Sequence, residues 1–184
     1  MPYNLSSNIQ TNNISIGPAT FKLGPSGATP TVDVGAIAED GANLEFSAEK
    51  VDVMQGNPAT LEHSFVGKQG VKLTLTGIEW NHKLLQYALG AGTTAESASL
   101  HTFTFGGGPS VTTVAIEMVH QMAAGQTITT RIWKARGDGP VGISFGQDIH
   151  NFPHTYQAMR ASANWGGATL PSTDQLVQMV RQLT

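Results

Sequence analysis

Apolar and polar residues alternate most cleanly between Val71 and Thr76, where Val71, Leu73 and Leu75 are interleaved with Lys72, Thr74 and Thr76. A period of two sends the three apolar side chains to one sheet face, so this stretch predicts a half-buried strand. After Gly77 the period changes. Asn81 is placed to cap a helix, Leu84, Leu85, Ala88 and Leu89 recur at helical spacing, and Gly90 and Gly92 stop it. Upstream, Leu44, Phe46 and Ala48 share one parity while Val51 and Val53 hold the other, which predicts a bulge or bend near Glu49. Between these strands, Met54 to Gly70 lacks a sustained period and holds Gly56, Pro58, Gly67 and Gly70. It predicts a long loop, of a kind that is usually functional or partner-bound.

The remaining pattern is that of short strands. Ile14, Ile16, Phe21 and Leu23 predict a first strand interrupted at Gly17 and Pro18, followed by a turn-rich connection through Pro30. Val32, Val34 and Ile37 carry weak strand character, and Glu39, Asp40 and Gly41 predict an acidic turn. Thr93 to Ser99 reads as a loop, Leu100, Phe103 and Phe105 as a short strand, and Gly106 to Gly108 as a hairpin tip. Val114, Ile116 and Met118 predict a strand that forms an antiparallel hairpin with the Thr- and Ile-rich segment Thr127 to Arg136, because so short a connection cannot make a parallel crossover. Val141, Ile143 and Phe145 predict a further strand, and Phe152, Tyr156 and Ala158 mark a last one reaching Ala161. Leu176, Met179, Val180 and Leu183 stand at i, i+3, i+4 and i+7 behind Ser172 and Thr173, predicting a C-terminal helix.

The tally predicts a mainly β fold: two packed antiparallel β-sheets, as a sandwich or partly closed barrel, with one flanking α-helix, a long inter-strand loop and a C-terminal helix. We divide the chain into a flexible N-terminal arm (1–13), a β domain (14–161) and a C-terminal extension (162–184). At 184 residues one full core is expected.

Composition sharpens this picture at one point. Charged residues make up 12% of the chain, about half the ~25% usual for soluble domains. Low charge suits a surface partly covered by copies of the same chain, since interface cores are depleted of charge. The formal net charge is −3 and no basic run occurs, which argues against stable binding of nucleic acid through its phosphates. Cysteine is absent, so disulfides and thiolate metal sites are excluded. Met1 to Asn13 has neither a basic start nor an apolar run, so no signal peptide is expected, and no membrane association is expected either.

Candidate chemistry is sparse. His150 and His154 have the spacing of a helical zinc pair, but Pro153 between them opposes a helix, and surface histidines are expected. His63, His82, His101 and His120 are scattered, and His82 is expected to be exposed in the first turn of its helix. Asp138 and Asp148 with Glu117 could form a carboxylate pair, yet Asp138 between glycines reads first as a turn residue. Ser144 in Gly142–Gly146 fits Gly-x-Ser-x-Gly spacing, but no helix follows it. Trp80, Trp133 and Trp165 could make a sugar-stacking platform; the competing expectation puts Trp80 and Trp133 in the core and Trp165 near an interface. No catalytic, cofactor or metal site is predicted.

Three pieces of the chain carry a family resemblance. They are Ile16 to Leu23, then Leu44 to Phe46 with the segment leading through Gly70–Leu75 to Tyr87–Gly90, and finally Asp148 to Pro153 leading to Tyr156–Ala158. In this order they resemble the tail tube proteins of long-tailed bacteriophages and related phage-tail-like particles. The resemblance implies rings, commonly hexameric, that stack head to tail into a conduit for DNA ejection. It further implies that Met54–Gly70 reaches onto a neighbour, with Met54, Gln55, Asn57, Leu61, His63, Phe65 and Val66 at the oligomer interface. The implied partners are other copies of the chain, a tape measure protein, a tail terminator, distal tail or baseplate proteins, and DNA in transit. The implied location is the virion, after assembly in the host cytoplasm. The C-terminal helix departs from the family pattern. Alternatives are a tail terminator or cap, an injection-system tube protein of the same fold, and a carbohydrate-binding β-sandwich.

Overall fold

The computed structural model describes residues 19–108, 110–122, 125–143 and 150–182. The predicted N-terminal arm, together with Ile14, Ile16, Ser144, Phe145 and Asp148, lies outside the described residues. The fold is mainly β and antiparallel. Its strands are β1 (Ala19–Pro25), β2 (Val32–Asp33), β3 (Ile37–Gln55), β4 (Thr60–Gly77), β5 (Thr93–Glu96), β6 (His101–Thr104), β7 (Thr113–Gln121), β8 (Thr127–Gly137), β9 (Phe152–Ala158) and β10 (Gln178–Gln182), with one helix, α1 (His82–Leu89).

Eight strands form one sheet in the order β2-β1-β7-β8-β9-β4-β3, with β10 also paired to β8, while β5 and β6 form a separate ribbon. The large sheet curls without closing into a barrel. Val34 N donates to Phe21 O of β1, and only two residues later Ala36 O accepts from Ile78 N, just beyond β4. That short span draws the two ends of the sheet together. Phe21 and Met118 on one side and Ile37 and Ala42 on the other line the cleft that remains.

Inside the curl lies the main core, and a smaller cluster of Trp133, Ala161 and Leu170 stands apart from it. Phe21, Leu23, Val71, Leu73, Leu75, Val114, Ile116, Ile132 and Tyr156 point inward, as their parity predicts, and Leu84, Tyr87 and Ala88 of α1 cover them. The helix begins and ends where its sequence requires. Asn81 Oδ1 accepts from Lys83 N, and Gly90 takes the left-handed conformation (φ 62°) that closes the C-terminus. Gly137 is needed for close approach: a Cβ there would lie 2.0 Å from Ala88 O.

Several expectations are corrected. Met54–Gly70 is not a loop. β3 and β4 pair continuously from Ala42↔Leu75 out to Gln55↔Thr60, forming one long hairpin whose turn is confined to Gly56–Ala59. The bend expected near Glu49 is a bulge on the opposite strand: Glu49 pairs with Lys68 and Lys50 with Val66, leaving Gly67 as the extra residue. A second shift, between Val53↔His63 and Met54↔Leu61, leaves Glu62 over. Each extra residue flips the parity of β4, which is why no period was visible.

The C-terminal helix is also absent. Ser172–Asp174 forms a single 3-10 turn, and Gln178–Gln182 pairs as β10 with Thr127–Arg131 of β8. Helical spacing there was misleading because Met179 and Val180 are exposed, so no buried stripe exists to favour a helix. The open edge of β8 supplies ladder partners instead. Thr93–Glu96, expected to be loop, pairs with β6, as its Thr-rich composition allows. Gly106–Gly108 joins the ribbon to β7 of the large sheet and is no hairpin tip. Glu39–Gly41 lies within β3, where the ladder is irregular between Ile37 and Ala42. Val141 and Ile143 belong to no strand; Val141 packs on the core, and both line a hollow beside Leu85 and Leu89 of α1.

Candidate functional site

The β3–β4 hairpin is anchored at one end and bare at the other. At its base, β9 pairs with β4 over Lys72–Gly77, and Leu73 and Leu75 are each only 1% exposed. Beyond Gly70 no described strand pairs with the outer edge of β4, and β3 is the edge strand throughout. The outer part is therefore a two-stranded ribbon with both backbone edges open among the described residues. From Ser47 to Gln55, at roughly 3.3 Å per residue, it reaches about 30 Å from the core.

Apolar side chains crowd this arm and its root at Phe46. Phe46, Val51, Val53, Met54, Leu61, Phe65 and Val66 are all between 43% and 57% exposed. Cross-strand register divides them between two faces. Val51↔Phe65 and Val53↔His63 share one face, while Lys50↔Val66 and Met54↔Leu61 share the other, continuous with Phe46↔Val71. On the first face the His63 and Phe65 rings meet edge to face, centroids 4.4 Å apart. Gly67 permits the bulge to lie flat, since a Cβ there would come within 2.9 Å of Val51 Cγ2. An isolated two-stranded ribbon is marginal in water, and one that is apolar on both faces cannot cover itself.

Every residue predicted at an oligomer interface lies on this arm. Met54 and Gln55 end β3, Asn57 is in the turn, and Leu61, His63, Phe65 and Val66 lie on β4; all are exposed. Phe46, Val51 and Val53 belong with them by register and were missed. Their alternation was legible in the sequence, but without the pairing partner it could not show that both faces are bare.

The other candidates separate. Glu117 receives a hydrogen bond from Arg131 at 3.3 Å and Asp138 one from Arg136 at 3.4 Å, so these two carboxylates do not converge. Trp80 is exposed, resting edgewise on Phe152, and is not a core residue. Trp133 is buried, donates to Asp174 O at 3.0 Å and packs edge to face on Trp165, 4.9 Å away. The three tryptophans therefore form no common platform. His154 is buried beside Tyr156, contrary to the surface position expected for it, because alternation along β9 turns it inward with Phe152 and Tyr156. Burial lowers its pKa to about 4 and raises that of Tyr156.

His82 too is buried, where exposure was expected. The β5–β6 ribbon folds over the first turn of α1 and covers it. Glu96 and His101, directly paired across that ribbon, face His82: Nε2 of His82 lies 3.0 Å from Glu96 Oε1, and the His82 and His101 ring centroids are 4.7 Å apart. Lys83 Nζ lies 2.7 Å from Glu96 Oε2 and, chiefly through that hydrogen bond, holds the carboxyl below the ordinary carboxylate range. Nineteen positions separate His82 from His101, so spacing alone gave no sign of this cluster.

In comparisons with known proteins, no family model matches the chain and no curated protein sequence matches it.

Proposed function

We propose that the chain is a structural subunit that assembles with copies of itself, the β3–β4 arm of one copy lying on the sheet of the next. The observation that carries this reading is the arm with its root at Phe46, which together hold seven half-exposed apolar side chains on two faces and, among the described residues, two open backbone edges. Covering the exposed half of each side chain contributes roughly 1 kcal/mol, and strand addition along β3 supplies register. An arm that leaves its own domain and docks elsewhere on a neighbour makes a heterologous contact. Such contacts close into rings or continue as helices and stacks.

This is the behaviour expected of a phage tail tube protein, and the resemblance in the sequence supports that form of the proposal. Rings, commonly hexameric, would stack into a DNA conduit, with a tape measure protein, terminator and baseplate proteins as its further partners in the virion. Function is then geometry, without bond chemistry. The low charge content fits, because much of the surface would be covered in the assembly. Negative-stain microscopy of the concentrated protein tests the proposal. Long tubes are the expected result, closed single rings would point to a cap or an injection-system tube unit, and monomers at high concentration would overturn self-assembly.

A further inference from the structure

We propose that His82, Glu96 and His101 form a binding site for a divalent first-row metal ion, which fastens the β5–β6 ribbon to the start of α1. One potential ligand atom from each residue lies within 4.8 Å of the other two. Two imidazoles and a carboxylate are the donor set that suits Zn2+ and its neighbours, with a fourth position left for water. Tetrahedral ligands at about 2.0–2.1 Å from a metal stand about 3.4 Å apart. The 3.0 Å between His82 Nε2 and Glu96 Oε1 is close to that separation, so a modest turn of the exposed His101 ring completes the triangle.

The second observation is the state of His82 itself. The residue is only 6% exposed, and its Nε2 is buried with no hydrogen bond of acceptable geometry despite its nearness to Glu96. A buried ring nitrogen that faces a carboxylate oxygen without bonding to it carries a desolvation cost that a shared cation would relieve. The surroundings favour exchange of an ion with solvent. Asp33, Thr31 and Trp80 line an open hollow of about 540 Å3 against the three ligands, which gives an entry path and room for a bound water. Lys83 opposes a cation by its charge, yet it is partly exposed on a flexible stem, and its contact with Oε2 leaves Oε1 turned toward His82.

The site also answers a mechanical need. A two-stranded ribbon is marginal alone, and the polar contacts of this one to α1 include Gln86 Nε2 to Gly92 O at 3.0 Å, Thr94 Oγ1 to Gln86 Oε1 at 3.1 Å and the part-exposed pair of Lys83 Nζ with Glu96 Oε2 at 2.7 Å. A metal bridging α1, β5 and β6 would tie both strands to the helix at their far end.

Titration of the purified full chain with ZnCl2 by calorimetry, alongside His101→Ala and Glu96→Gln variants, tests the site. Both substituted positions are exposed, so the variants should fold, and circular dichroism checks that they do. The expected result is one Zn2+ bound per chain, at least tenfold weaker in either variant, and a Zn2+-dependent rise in Tm that the variants lose. Co2+ should give the intense visible absorption of a four-coordinate site in the wild type alone. No stoichiometric binding, or equal affinity in wild type and both variants, would overturn the proposal.

Discussion

One hairpin behaves as two different materials along its length. At its base, β3 and β4 are part of a sheet: Leu73 and Leu75 are sealed beneath α1, and β9 occupies the outer edge of β4. Past Gly70 the same two strands continue with the same kind of pairing, yet among the described residues their apolar side chains are half-exposed and their edges are open. Pairing alone therefore does not make a core. What differs is coverage, and the contrast separates residues that hold the monomer together from residues available to hold copies together.

Breaking the base should have the largest effect. Leu73→Asp places an unpaired charge between Leu44 and Tyr156, a cost of several kcal/mol against a typical total of about 5–15 kcal/mol. The expected outcome is loss of the cooperative thermal transition, and a soluble variant with normal circular dichroism and a sharp Tm would show that the core face is misassigned.

Acid should weaken the base in a defined window. His154, opposite Leu75 in the ladder, is kept neutral by burial, with a folded pKa of about 4 against an unfolded value of about 6.5. Because the folded pKa is the lower one, the unfolded chain binds the extra proton. Stability is then complete above pH ~6.5 and falls as pH drops toward 4, by at most about 3 kcal/mol. Urea unfolding between pH 7 and 4 should show this loss in the wild type and much less of it in His154→Leu. Glu96, whose carboxyl is held below the ordinary carboxylate range by Lys83, loses its contribution only as pH falls through that range, so the part of the loss above about pH 5 reports His154.

At the arm the effect on the monomer should be smallest. Phe65→Ala removes a half-exposed ring, and unfolding of dilute protein should shift by no more than about 0.5 kcal/mol. A loss of 2 kcal/mol or more would mean that the arm is part of the monomer's core after all.

The base was legible in the sequence and the arm was not, for one physical reason. Burial imposes a period, so Val71–Leu75, the Asn81 cap, Leu84–Leu89 and Gly90 could be read directly. The arm has no buried face, and Gly67 and Glu62 each shift its parity, so Met54–Gly70 looked like a loop although it is one exposed hairpin. The opposite error occurred at the C-terminus. Leu176, Met179 and Val180 had helical spacing by chance, and the deciding influence, an open stretch of β8 some fifty residues earlier, is non-local. Distance in sequence also hid the meeting of His82, Glu96 and His101.

The most direct test removes the arm and spares the base. Glu49 and Lys68 are directly paired, so replacing Lys50–Gly67 with a two-residue Asn-Gly turn should close a short hairpin without strain. Sedimentation velocity of this variant and the wild type across a wide concentration range should show large, concentration-dependent assemblies for the wild type and a folded monomer for the variant. Equal assembly by both proteins would contradict the account, as would a wild type that stays monomeric throughout.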